Sequence, residues 1–155
     1  MIVGDMLSKT MLSNLSNIPP QKIKYAYGPF GKPYAYDLEL EFNISHSNDI
    51  VVCCVDNKPI GIDVEKNQAI SDRMIEKVCN KEDLLYVCGD DQMKSNYVRE
   101  SIINRFFDIW TAKEAYFKCK GTGITRLKTL SYRDIVPNLT KVKISDYTIS
   151  IYKEN

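Results

Sequence analysis

The sequence is short of the features that announce many functions. Its cysteines are odd in number, five, and no C-x-x-C pair occurs among Cys53, Cys54, Cys79, Cys88 and Cys119. That spacing argues against a zinc site and a disulfide framework, so free thiols in a reducing cytoplasm are expected. Basic and acidic residues nearly cancel, 21 against 20, and no long basic run calls for nucleic acid. No apolar run approaches the roughly 20 residues that span a bilayer, so no membrane span is expected. Asp5 and Lys9 interrupt the apolar start of the chain, which reads as an amphipathic helix rather than a signal peptide. There is no G-x-x-x-x-G-K-[ST], no G-x-G-x-x-G and no G-x-S-x-G, so P-loop, dinucleotide-fold and serine-hydrolase chemistry lack their signatures. His46 is the single histidine and has no C-x-x-C beside it from which to build a metal site.

What is there suits a compact soluble protein. A chain of 155 residues makes one domain, or two small halves around a shared core. Val3, Met6, Leu7, Met11, Leu12 and Leu15 recur near a 3.6 period, which predicts a helix over 3–16, with apolar surface left exposed on it. Pro19 and Pro20 end it. Ile23, Tyr25 and Tyr27 alternate, predicting a strand over 22–27, and residues 28–33 are a loop. Strands are predicted over 41–44, 50–55 and 59–65, with Asp56-Asn57-Lys58 as a tight hairpin turn. Short helices follow over 71–79 and 81–88, then a polar loop over 89–96 and a long helix over 98–120 stopped by Gly121. Strands at 129–132, 141–144 and 147–152 complete an α+β fold with mainly antiparallel pairing.

Three segments carry chemistry. In Gly61-Ile62-Asp63-Val64-Glu65, strand alternation points Asp63 and Glu65 one way and Ile62 and Val64 the other. Two carboxylates about 7 Å apart repel unless a cation lies between them, and hard oxygen ligands suit magnesium. Gly61 lets a backbone or ligand approach closely. Taken alone, the same pentapeptide also suits a solvated acidic strand face. In Trp110-Thr111-Ala112-Lys113-Glu114-Ala115-Tyr116-Phe117-Lys118, Trp110, Glu114, Phe117 and Lys118 share a helical face. That pattern fits a core stripe with an exposed Glu114–Lys118 pair. It equally fits a carboxylate that holds a metal beside an ammonium that neutralises phosphate. Finally, His46 between Ser45 and Ser47 is flanked by hydroxyls just past a strand, where it can hydrogen-bond a phosphate.

The order and spacing of four motifs are more specific than any one of them. Gly31-Lys32-Pro33, Asn43-Ile44-Ser45-His46-Ser47, Gly61-Ile62-Asp63-Val64-Glu65, and Trp110 to Ala115 with Lys118 and Gly121 resemble the 4′-phosphopantetheinyl transferase superfamily, most closely its surfactin type. The resemblance implies that magnesium binds Asp63, Glu65 and Glu114. It implies that Lys118 contacts the coenzyme A pyrophosphate, that Lys32 and Pro33 lie against the adenine, and that Ser45 and His46 contact phosphates. Lys113 is tied more loosely to the cofactor, and Trp110 is expected to pack in the core. The implied reaction moves phosphopantetheine from coenzyme A to a serine of an apo acyl or peptidyl carrier protein, releasing 3′,5′-ADP. Fatty acid, polyketide or nonribosomal peptide synthesis is the setting. Glu114, Lys118 and Glu65 are the expected catalytic groups. The base is Glu114, or a water held by Glu114 or Glu65.

The surfactin type has two pseudo-symmetric halves, and members carry a further βα segment ahead of the position of Gly4-Asp5. The chain is therefore expected to divide into a shortened N-terminal half, 1–60, and a C-terminal half, 61–155. A weakly held coenzyme A 3′-phosphate and a homo-oligomer follow from that expectation. A remnant that only binds coenzyme A or a carrier protein is the alternative reading.

Overall fold

The computed structural model describes residues 2–89, 96–124 and 126–155, and the polar loop expected over 89–96 lies almost wholly outside them. In chain order come α1 (Ile2–Ser16), β1 (Tyr25–Tyr27), β2 (Pro33–Ala35), β3 (Glu41–Ser47), β4 (Ile50–Asp56) and β5 (Ile60–Lys66). Then follow α2 (Asp72–Val78), α3 (Lys81–Cys88), α4 (Asn96–Lys120), α5 (Tyr132–Ile135), β6 (Leu139–Ile144) and β7 (Tyr147–Lys153). All strand pairing is antiparallel, in a β1–β2 ribbon, a β3–β4 pair and a β5–β7–β6 sheet. The α+β class is as expected.

The helices begin where local chemistry favours it. Ser71 caps α2 by accepting from the Met74 N–H at 3.3 Å. Asn80 and Asp83 form a reciprocal capping box at the start of α3. α4 lies across β5 and β7 and buries Phe106, Phe107, Ile109, Ala112 and Ala115 in the largest apolar cluster. Ile62 and Val64 pack on the other side of β5, with Tyr147 and Ile149. Leu12, Ile23, Ala35 and Phe42 form a third cluster under α1.

α1 forms where expected, and three other local expectations change. α1 buries Gly4, Ser8 and Leu12, whereas Val3, Met6 and Leu15 are exposed. The small residues permit a close approach, and the Ser8 hydroxyl is satisfied by Gly4 O at 2.8 Å and Tyr25 OH at 2.7 Å. The strand expected over 22–27 shortens to Tyr25–Tyr27 because Pro20 opens a 3-10 turn through Lys22. The strand expected over 129–132 is instead a 3-10 turn, Leu127–Thr129, followed by α5 with Ser131 at its N-cap.

The third change matters most for the site. Asp56-Asn57-Lys58 does join β4 to β5, but the two strands make no hairpin. β5 pairs with β7 along one edge, Gly61 opposite Tyr152 through Glu65 opposite Thr148. Its other edge faces β3 through side chains. Asn43 Oδ1 accepts from Ile62 N at 2.9 Å, Ser45 Oγ from Val64 N at 3.4 Å, and Ser47 Oγ from Lys66 N at 3.2 Å. The constant offset makes β3 and β5 parallel, stitched by polar side chains instead of a backbone ladder.

Gly61 is where α4 rests on β5. A Cβ built there would lie 2.0 Å from Ala115 O and 2.4 Å from Cys119 N, both helix backbone. Gly61→Ala is therefore expected to cost roughly 3 kcal/mol, the upper end of overpacking, and to lower the melting temperature by about 6–12 °C. A melting temperature within about 2 °C of wild type would show that α4 retreats freely.

Candidate active site

β5 presents Asp63 and Glu65 on the face opposite Ile62 and Val64, as period-two alternation requires. The two carboxylates are held differently. Asp63 is 2% exposed, and its Oδ1 accepts from Ser45 Oγ at 2.9 Å and from Lys118 Nζ at 2.5 Å. Its Oδ2 is buried with no hydrogen-bond partner among the described residues. Glu65 is half-buried and accepts from Ser47 Oγ at 3.1 Å and from the Trp110 indole N–H at 3.3 Å. Trp110 thus orients a carboxylate as well as packing on Phe106, a role the sequence reading missed.

α4 brings Glu114 and Lys118 to the same place, one turn apart. Glu114 is 8% exposed, which removes the exposed surface pair as a description of this helix face. Lys118 reaches Asp63 and Ser45 Oγ, the latter at 3.0 Å. Burial lifts the Glu114 carboxyl to about 7, repulsion from Asp63 adds to it, and Lys118 opposes it. Burial likewise lifts Asp63 to about 6 against the pull of Lys118 and Ser45, with Glu65 adding repulsion.

These groups open on one cavity of about 460 Å³, lined also by Pro33, Ser45, the exposed His46, Asp5, Tyr25, Tyr27 and Asn43. A smaller hollow of about 210 Å³ adjoins it, sharing Asn43, Ile44 and Lys118, and is lined by Lys32, Phe30 and Gly121. The Lys32 ammonium donates to Cys119 O at 3.1 Å and lies 3.5 Å from Glu41 Oε2, so it ties the loop to α4. Tyr25, Tyr27 and Asn43 escaped the sequence reading as site residues. The signal for Asn43 was the N-x-S-x-S alternation, whose polar members face β5.

Lys113 corrects an expectation. It was placed loosely with the cofactor, but it is fully buried away from both cavities. Its three hydrogens go to Asp83 Oδ2 at 2.6 Å, Leu127 O at 2.8 Å and Val78 O at 2.9 Å. The neighbouring residues of a helix point in different directions, so Glu114 faces the cavity while Lys113 enters the core.

The larger cavity is acidic: four carboxylates from Asp5, Asp63, Glu65 and Glu114 face one ammonium and one imidazole. Its donor set suits a hard divalent cation, because hard oxygen ligands line it and Asp63 Oδ2 lacks a partner among the described residues. In the conformation seen, no three His, Cys, Asp or Glu among the described residues are gathered closely enough to hold a metal ion. None of the five cysteines lines either cavity. All five are free, and burial pushes Cys54 and Cys79 up to about 12 and Cys53 and Cys119 up to about 11.

The raised Glu114 carboxyl gives a stability signature. Its folded value of about 7 lies above the ordinary 4.5, so folding holds its proton more tightly. Below 4.5 both states are protonated, and above 7 both are ionised, so stability is lost progressively as pH rises between those values. Glu114→Gln mimics the protonated group. In cation-free buffer it is expected to melt with wild type near the lower value and above it at pH about 8. Melting curves that stay parallel over that range would contradict the buried, ionising carboxylate.

The fold is an α+β domain in which strand and helix carboxylates line one cavity beside a lysine. The family model described as "4′-phosphopantetheinyl transferase superfamily" matches residues 59–149, and the chain belongs to that superfamily. It is 33% identical to the 4′-phosphopantetheinyl transferase gsp of Aneurinibacillus migulanus over 123 residues, 79% of this chain and 48% of that protein. It is also 33% identical to 4′-phosphopantetheinyl transferase Sfp of Bacillus subtilis over 128 residues, 80% of this chain and 53% of that protein. The HetI transferase of a Nostoc species matches at 30% over 132 residues, 82% of this chain and 54% of its own. The chain thus spans about half the length of the curated relatives it matches.

Proposed function

We propose that the chain transfers phosphopantetheine from coenzyme A to a serine hydroxyl of an apo carrier protein, with magnesium bound by Asp63, Glu65 and Glu114. The convergence of those carboxylates with Lys118 on one cavity carries the reading. An acidic cavity repels a diphosphate unless a cation intervenes, so this donor set makes sense with both bound. When bound, the cation would neutralise the diphosphate and the charge that develops on the leaving oxygen. Lys118 supplies a second positive charge beside the phosphates. Glu114, or a water held by it or by Glu65, would accept the serine proton. Ser47 and Trp110 fix Glu65, and Ser45 fixes Asp63. The bond formed joins the serine oxygen to the β-phosphorus of coenzyme A, and the bond broken releases 3′,5′-ADP. Pro33 and Lys32, which line the two adjoining hollows, are proposed to lie against the adenine.

The test is mass spectrometry of an apo carrier protein incubated with coenzyme A, magnesium and this chain. A gain of the phosphopantetheine mass is expected. Binding of coenzyme A without that gain would favour a remnant without turnover. The division into halves, 1–60 and 61–155, is part of the same proposal, as is a reducing cytoplasm for the five free thiols. No helix among the described residues is long and apolar enough to cross a membrane.

Self-association is proposed as well. Ile2, Val3, Met6 and Leu15 are exposed on α1, and β4 has a strand partner on one edge only among the described residues. Light scattering is expected to give a dimer or larger assembly, and a monomer mass would overturn this.

A further inference from the structure

One contact in the site works against the reading just given. Lys118 Nζ lies 2.5 Å from Asp63 Oδ1 and 3.0 Å from Ser45 Oγ. A hard cation taking Asp63 would meet an ammonium already on the same carboxylate, and two positive charges there repel strongly in a buried site. The contact is nevertheless sensible without a cation. Asp63 is 2% exposed, and a buried carboxylate left ionised without a partner is costly.

The two partners differ in freedom. Asp63 is fixed on a strand paired along its length with β7. The Lys118 side chain is 26% exposed and borders both hollows, so its four-carbon stem can re-aim the ammonium without moving α4. Asp63 Oδ2 faces no competing donor.

We propose that Lys118 is the resident counter-ion of Asp63, and that a divalent cation gains the carboxylate only by displacing the ammonium toward the phosphates of a bound diphosphate. The inference rests on the reading of Asp63, Glu65 and Glu114 as cation ligands. Its consequence is cooperativity. A cation alone must evict Lys118 from a buried carboxylate while itself taking Glu65 and Glu114, the carboxylates beside it. A cation arriving with a diphosphate gives the ammonium a second partner, so each ligand strengthens the other. Lys118 thereby keeps the empty site neutral enough to stay folded and makes cation loading wait for the donor substrate.

The experiment titrates Mn²⁺ alone into the full chain, following free Mn²⁺ by electron paramagnetic resonance, with and without saturating coenzyme A. Wild type, Lys118→Met, Lys118→Gln and Asp63→Asn are compared after their melting curves confirm folding. Without coenzyme A, Lys118→Met and Lys118→Gln are expected to bind Mn²⁺ about tenfold tighter than wild type, within the usual range of coupling between sites. Coenzyme A is expected to tighten Mn²⁺ binding in wild type and in the lysine variants, because its diphosphate is itself an anion beside the cation, and to tighten it more in wild type, where Lys118 also gains a partner. Asp63→Asn should bind none. Equal Mn²⁺ affinity in wild type and both lysine variants overturns the counter-ion role while leaving the carboxylate site intact. Absence of Mn²⁺ binding in every protein, coenzyme A present, overturns the cation site itself and this inference with it.

Discussion

Asp63→Asn is expected to lower phosphopantetheine transfer by a factor of about 100–1,000, the scale of losing one preorganised electrostatic group. The substitution keeps the shape of the side chain and an oxygen that can accept from Ser45, now 2.9 Å away. It removes the charge that a cation would need. Stability should change little, for opposing reasons. Lys118 loses its ion pair, but it is partly exposed and can turn to the cavity. Glu114 loses a repelling neighbour, so its raised carboxyl should relax downward. Ile62 and Val64, on the opposite face of β5, keep their packing. The checks are the mass-spectrometric transfer assay at saturating coenzyme A and magnesium, and a thermal melt. Turnover within about tenfold of wild type in a folded variant would remove Asp63 from the site, because a charged ligand is worth more than that.

Much of this site was readable from local spacing because its rules are local. Asp63 and Glu65 fall on one face by strand alternation alone. Glu114 and Lys118 fall on one helix face by the four-residue repeat. What local spacing does not carry is which distant surface each face meets. Asn43, Ser45 and Ser47 read as a polar alternation beside His46, but their partners Ile62, Val64 and Lys66 are 19 residues away. Their work as a ladder along β5 depends on β3 lying parallel to it. The same juxtaposition is why Asp56-Asn57-Lys58, good hairpin chemistry, makes no hairpin: both edges of β5 are already taken. In α1 the apolar residues followed the helical period, yet Gly4 and Ser8 face inward because Tyr25 closes on the Ser8 hydroxyl. At 129–132, the run Thr129-Leu130-Ser131-Tyr132 resembles a strand, but Ser131 binds Glu82 at 2.6 Å and Asp83 accepts from Tyr132 N at 2.9 Å, which starts α5.

Lys113 gives the widest gap between sequence and structure, and the largest expected loss of stability. Its partners come from three separate places: Val78 at the end of α2, Asp83 in α3, and Leu127 in the 3-10 turn after α4. Asp83 is 1% exposed and also accepts from Asn80 N at 3.0 Å and Tyr132 N. One ammonium therefore joins the elements that fix how α4 is seated, and with it the aim of Glu114 and Lys118. Lys113→Met fills similar volume but leaves a buried carboxylate and two carbonyls without their donor. Breaking a buried pair from one side costs about 3–5 kcal/mol. At about 2–4 °C per kcal/mol for a chain of this size, the melting temperature should fall by roughly 6–20 °C. Lys113→Met with Asp83→Asn removes both charges and should recover a substantial part of that loss. Coenzyme A affinity, measured well below the melting temperature, should change less than about threefold, under 1 kcal/mol. The opposite pattern, a normal melt with coenzyme A binding weakened tenfold or more, or about 1.4 kcal/mol, would return Lys113 to the cofactor.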